Sequence, residues 1–139
     1  MKPAEARRRF ALARIAHLAT AGSAGRPHLV PIVFAVEGDT VYSAVDYKPK
    51  RTTALRRLAN IAENPSVALL VDHYDDGDWD ALWWARADGT GRLVVPATPE
   101  ERRALDGLQQ RYAQYLGRPP PGPVLAVDVS RWSGWAARA

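Results

Sequence analysis

Turn-forming residues interrupt this sequence so often that its β-rich runs can be no longer than short strands. Ala16–Thr20 ends at Ala21-Gly22-Ser23-Ala24-Gly25, His28–Val36 ends at Glu37-Gly38-Asp39, and Thr40–Val45 follows at once. Short β-forming runs joined by such breaks predict antiparallel hairpins. Pro31 interrupts the second run, and a residue without an N–H predicts an edge or a bulge there. Ser66–Val71 predicts a further strand. Ala81–Ala87 and Gly91–Val95 predict a strand pair turning at Ala87-Asp88-Gly89. Val124–Val129 and Trp132–Ala136 predict a closing strand, or a strand with a bend. Three amphipathic stretches predict helices: Pro3–Ile15 with Phe10, Leu12 and Ile15 on one side, Thr52 or Thr53 to about Glu63 with Leu55, Leu58, Ala59 and Ala62 at core spacing, and Pro99–Leu116. Roughly six short strands bury themselves best by curling into a small barrel whose open seams are plugged by helices. The fold expected is mainly β (α+β), a single domain over residues 1–139.

Several chemistries drop out on composition. The chain has no Cys, which removes thiolate metal sites, iron–sulfur clusters and a cysteine nucleophile. No Gly-x-Ser-x-Gly elbow, Walker loop or dinucleotide glycine fingerprint is present. His73 sits among Asp72, Asp75, Asp76, Asp78 and Asp80, but a calcium loop's terminal Glu and flanking helices are missing, so no metal site is expected. Lys2, Glu5 and Arg7–Arg9 stand where the apolar core of a signal peptide would begin. A cytoplasmic location, with no membrane span, is therefore the expectation. The net charge of +4 comes largely from Arg. Arg7–Arg9 and Arg102–Arg103 lie on ordinary amphipathic helices, so nucleic-acid binding is not expected.

Two features carry functional information. Both interior lysines fall in Tyr47-Lys48-Pro49-Lys50-Arg51-Thr52-Thr53, between a strand and a helix start. Positive charge, hydroxyls and the free N–H groups of a helix N-terminus together suit a phosphate. A solvated basic loop capped by Thr fits the same residues. The second feature is the tryptophans Trp79, Trp83, Trp84, Trp132 and Trp135, all in the second half of the chain. Trp83 and Trp84 are adjacent on a strand and must face opposite sides. One of them therefore covers an interface, a helix or a planar ligand.

Taken in order, several segments resemble the pyridoxamine 5′-phosphate oxidase-like proteins with a flavin-binding split barrel. They are Ala16–Thr20, Gly25-Arg26-Pro27-His28, Leu29-Val30-Pro31-Ile32-Val33-Phe34, Asp46–Leu58, Asn64-Pro65 and Val67–Asp72. The continuation His73-Tyr74-Asp75-Asp76, then Trp79-Asp80-Ala81-Leu82-Trp83-Trp84-Ala85-Arg86-Ala87-Asp88-Gly89, is more specific, as is the ending Arg131-Trp132-Ser133-Gly134-Trp135. These resemble an actinobacterial branch of oxidoreductases that depend on the deazaflavin coenzyme F420. The resemblance implies a six-stranded antiparallel Greek-key split β-barrel flanked by helices, forming a homodimer with two equivalent sites at its interface.

By position, the resemblance brings Lys50, Arg51 and Thr52 to the cofactor phosphate, with Lys48 as further positive charge. It runs Val30, Pro31, Ile32 and Val33 beside the ring, and Ser43, Ala44 and Val45 along the ring or its polyol. Trp79 and Trp83 would approach from the partner subunit, and Trp135 would close the pocket. The implied activity is hydride transfer between coenzyme F420 and a small organic acceptor, with no catalytic side chain assigned. FMN is the alternative cofactor, and a flavin or F420 carrier without turnover is the alternative role. The basic residues with which pyridoxal phosphate-forming members hold their substrate have no match in the tail, where Arg131 and Arg138 follow another pattern.

Overall fold

A computed structural model describes residues 1–45 and 51–138, with the side chains of residues 51–55 left aside. Its elements are α1 (Pro3–Leu12), β1 (Ala16–Ala21), β2 (Pro27–Ile32), β3 (Ala35–Glu37), β4 (Thr40–Ala44), α2 (Arg51–Glu63), β5 (Ser66–His73), β6 (Trp83–Leu93), α3 (Pro99–Arg111) and β7 (Val124–Ala136). The seven strands form one sheet in the order β2-β1-β5-β6-β7-β4-β3, and every pair is antiparallel. A central meander, β5-β6-β7, carries the hairpin β1-β2 on one side and β3-β4 on the other. The outermost strands, β2 and β3, are consecutive in the chain with only Val33 and Phe34 between them. A two-residue link can join opposite edges only if the sheet curls until they meet, which produces an antiparallel half-barrel.

Seven strands stand where the resemblance implies six. The run His28–Val36 breaks at Val33-Phe34 into β2 and β3. The break leaves backbone groups outside the ladder, and side chains take them up. Ser43 Oγ donates to the Val33 carbonyl at 2.9 Å, and the Tyr112 hydroxyl accepts from Phe34 N at 3.1 Å. The Phe34 ring turns inward onto Phe10, with ring centroids 5.0 Å apart. Pro31 lies on an edge strand, as its missing N–H requires.

The Asp88-Gly89 turn is also corrected. Trp83–Leu93 is one strand, and β7 is one strand beside it. Between Asp88 and Gly89 the pairing slips past Ser130 of β7, so the dipeptide marks a β-bulge. The reason lies at Gly89: a Cβ there would drive into the Asp128 carbonyl oxygen and within 2.9 Å of Val129 Cα. Asp-Gly is a common turn signal, but here the glycine is required by close backbone approach.

The helices follow the sheet. α1 ends at Leu12, and its inward face is Ala6 and Phe10, whereas Leu12 and Ile15 are exposed. Phe10 wedges between Phe34 and Trp132 at one mouth of the barrel. α2 covers β1 and β6 through Asn60 and Ile61; Leu58 is only half-buried, and Ala59 and Ala62 are exposed. Asn60 Nδ2 donates to Thr20 Oγ1 at 3.0 Å. α3 ends at Arg111, earlier than expected, and a short 3-10 turn, Ala113–Tyr115, follows.

Each face of the sheet therefore has its own apolar cluster. Leu18, Phe34, Val41, Leu69, Val71, Ala87 and Val127 belong to the barrel interior. Ala35, Tyr42, Ala44, Val124 and Ala126 pack on the outer face against Ala104 and Leu108 of α3. A charged network ties α3 down. Arg92 donates to both oxygens of Glu100 at 2.8 and 2.7 Å and through Nε to Asp128 at 2.7 Å, and the Tyr42 hydroxyl donates to Glu100 at 2.8 Å. The hydrogen bonds from Arg92 and then Tyr42 hold Glu100 down at a pKa of about 2. Burial, and then the Glu100 carboxylate, push Tyr42 up to about 12.

Three outcomes follow for stability. Phe10→Ala empties the junction of three aromatic rings and should cost about 3–5 kcal/mol in urea unfolding. Gly89→Ala should cost about 1–3 kcal/mol, because the bulge has no room for a Cβ. Glu100 is ionised in the fold below its ordinary pKa of 4.5. Its contribution is complete above that value and is lost as pH falls toward 2. Unfolding midpoints taken across that window should fall more steeply for the wild type than for Glu100→Gln.

Candidate cofactor site

On the outer face of the sheet, α3 covers β3, β4 and the start of β7 and meets Arg92 near the end of β6. Alternation decides what the uncovered half presents. On β1, Ala16, Leu18 and Thr20 point into the barrel, which leaves His17 and Ala19 outside. On β5, Val67, Leu69 and Val71 point in, leaving Ala68, Leu70 and Asp72 outside. On β6, Ala85 and Ala87 point in, leaving Trp84, Arg86 and Asp88 outside. Direct cross-strand partners share a face. The pairs Asp72/Trp84, Leu70/Arg86 and Trp84/Trp135 therefore lie side by side on this surface.

These side chains line an open depression of about 760 Å³, with Leu29, His73, Tyr74, Leu82 and Trp83 at its margins. Its walls are mainly apolar, yet Leu29, Tyr74 and Trp135 are exposed. Trp83 turns the other way from Trp84. It packs against the interior cluster, with the Arg9 guanidinium 5.4 Å over its ring and His73 stacked at 6.3 Å. The adjacent tryptophans thus divide as their position on a strand requires, one toward α1 and one onto the open face.

The acidic loop beside the depression is spent on local structure. Asp75 accepts from Gly77 N at 2.9 Å, Asp78 accepts from Asp80 N at 3.1 Å, and Tyr74 donates to Asp76 at 2.7 Å. Arg138 lies 3.9 Å from Asp78 and 3.8 Å from Asp80. No helix among the described residues is long and apolar enough to cross a membrane.

The residues expected at a cofactor are dispersed over the sheet. Val30 and Ile32 bury their side chains in the barrel, so β2 can offer a ligand only their backbone along its free edge. Pro31 faces outward opposite His17. Val33 packs toward α3, and Ser43 is buried and bonded to Val33. Ala44 lies under α3, while Val45 is half-buried and joins Pro123 and Gly122 through its backbone. Trp79 is exposed in a short 3-10 turn, and Trp83 and Trp135 line the depression. Lys48 and Lys50 lie outside the described residues. Arg51 and Thr52 open α2, with their side chains outside the description.

Leu29, Leu70, Trp84 and Arg86 also line the depression and are absent from the cofactor residues expected from the sequence. The signal that finds them is a strand with apolar residues on both faces, such as Ala68 and Leu70 outside against Val67, Leu69 and Val71 inside. A solvated outer face would carry polar residues there.

Comparison with known proteins agrees with this architecture. The Pyridoxamine 5′-phosphate oxidase family profile matches residues 3–136. No curated protein matches the sequence. Among solved structures, a FAD-binding protein from Mesorhizobium loti superposes with a TM-score of 0.73 at 17% identity, covering 96% of this chain and 94% of that one. A conserved hypothetical protein from Mycobacterium tuberculosis gives 0.72 at 22% identity, covering 99% and 86%. The heme storage protein HutZ from Vibrio cholerae gives 0.70 at 15% identity, covering 98% and 95%. At these identities the likeness is one of fold. The family match over nearly the whole chain, on a curled antiparallel sheet flanked by helices, places this protein in the pyridoxamine 5′-phosphate oxidase family.

Proposed function

We propose that this protein is an oxidoreductase that uses coenzyme F420 to exchange hydride with a small organic acceptor, at a site shared by two copies of the chain. The observation that carries the reading is the open tryptophan-lined depression on the outer sheet face. A flat ring needs apolar walls, and Trp84, Trp135 and Leu70 supply them. The ring's polar edge needs donors and acceptors, and the free backbone edge of β2 supplies them. A phosphate needs the basic segment at the start of α2.

The case for two copies is geometric. The basic segment follows β4, whose last residue, Ala44, pairs with Val124 at the start of β7. Trp135 lies near the other end of β7, about 35 Å along the strand at ~3.3 Å per residue. A cofactor reaching from the basic segment to the tryptophans is accommodated if one copy supplies the segment and its partner supplies the aromatic face. Docking a second copy would also cover Leu29, Leu70 and Trp135, an apolar patch that a monomer leaves in water.

Bound there, the coenzyme supplies the hydride chemistry. The chain's own residues bind, orient and exclude water: Trp84 and Trp135 fix the plane of the ring, Lys50 and Arg51 hold the phosphate, and the paired faces keep the site dry. FMN shares the ring, polyol and phosphate, and is the second reading. The anionic tail of F420 favours the deazaflavin, since Lys48, Arg56 and Arg57 add positive charge around the same segment.

Titration of the purified protein with coenzyme F420, FMN and hemin, each followed by cofactor absorbance, separates the readings. Tighter binding of F420 than of FMN is the expected result. Lys50→Ala combined with Arg51→Ala should weaken it about tenfold or more, the scale of lost charge-assisted hydrogen bonds. Tight FMN with no F420 binding would overturn the choice of cofactor. A stoichiometric hemin complex with neither flavin bound, for which His17 and His73 offer ligands on the depression, would overturn the redox reading altogether.

A further inference from the structure

The depression holds one strong cation, and its position is specific. Arg86 is the only Arg or Lys among the described lining residues. It sits mid-strand on β6, flanked along the strand by Trp84 and Asp88 and across it by Leu70 of β5 and Ser133 of β7. Asp88 accepts from its Nε at 2.9 Å. That single contact orients the guanidinium and leaves its two terminal nitrogens without a hydrogen-bond partner among the described residues. Those nitrogens form the fork that matches a carboxylate. The hydroxyl of Ser133, directly opposite on the same face, is buried and also lacks a partner among the described residues.

A surface Arg in water needs no explanation. An Arg set among Leu70, Trp84 and Trp135 loses part of its hydration once that face is covered, and its unpaired N–H groups then become costly. Asp88 cannot satisfy them all, because it is bound through Nε alone. The unmet requirement is an acceptor with two oxygens, placed beside an apolar plane.

We infer that Arg86 is a specificity-determining residue that selects acceptors carrying a carboxylate on a flat, apolar body. The carboxylate pairs with the terminal nitrogens of Arg86, and the flat portion stacks on the face of the coenzyme ring turned away from Trp84 and Trp135. Asp88 is a positioning residue that holds Nε and aims the fork. This assignment rests on the depression holding the acceptor beside the coenzyme ring, and so deepens the proposed function by naming the class of substrate.

Calorimetric titration of the protein, saturated with F420 where it binds, with 2-naphthoate and with 2-naphthamide, which share a ring system and differ in charge, tests it. Naphthoate should bind the wild-type protein about tenfold or more tightly than the amide, in line with a charge-assisted pair in an apolar setting. Arg86→Gln should bring naphthoate down to the amide's affinity while leaving the amide unchanged. Arg86→Lys should keep only part of the preference, because an ammonium cannot form the fork. Equal affinity of the wild type for the two compounds would overturn the inference without recourse to a variant. So would a preference that survives in a folded Arg86→Gln protein. Failure of the cofactor reading is distinguishable: a chain that binds neither F420 nor FMN but prefers naphthoate keeps the anion site and loses the coenzyme, and the converse pattern does the reverse.

Discussion

The long antiparallel pairing of β6 with β7 is the interaction on which the rest of the structure depends. It runs from Trp83/Ala136 to Leu93/Leu125 with one slip at Asp88-Gly89. Every other strand attaches to this pair directly or through at most two neighbours: β5 carries the β1-β2 hairpin on one side, and β4 carries β3 on the other. The slip lets two long strands bend, since a bulge sharpens local twist, and a bent spine lets the edges β2 and β3 approach. Gly89 makes this possible by having no side chain where the two backbones close up.

The same spine organises the two faces. One end of its outer surface lies under α3, where Arg92 of β6 and Asp128 of β7 join Glu100 and Tyr42 in one hydrogen-bonded network. The other end is bare, and Trp84, Trp135 and Arg86 stand there in cross-strand register. The fold thus stabilises one half of the sheet with its own helix and leaves the other half apolar, shaped and open. A sheet with both faces apolar and one partly uncovered needs something to cover it. Under the proposed function, a planar cofactor and a second copy of the chain would together satisfy that need.

Much of this was legible in the residues. Turn chemistry located the β1-β2 and β3-β4 hairpins, and the adjacent tryptophans divided between faces as strand geometry demands. The misreadings share a physical origin in tertiary contacts. Asp88-Gly89 has the local chemistry of a turn, but its role is set by the approach of Asp128 from 39 residues away. Val33-Phe34 has the propensity of a strand, but Ser43 and Tyr112 satisfy its backbone outside the ladder. Leu12 and Ile15 share the hydrophobicity of Phe10 but not its contact with Phe34 and Trp132. The depression was hardest to see, because its lining is drawn from separate strands and only the sheet order assembles it.

The central claim is that one copy contributes the basic segment and the other the tryptophan face. Subunit mixing tests it most directly. One variant carries Lys50→Ala with Arg51→Ala, and the other carries Trp84→Ala with Trp135→Ala, so that each alone binds F420 poorly. The two are mixed under conditions that exchange subunits, and F420 binding is measured before and after. Recovery of wild-type affinity in a fraction of the sites is the expected result, since a mixed dimer rebuilds one complete site. No recovery, in a mixture shown by mass to contain mixed dimers, would contradict the claim and confine the site to a single chain.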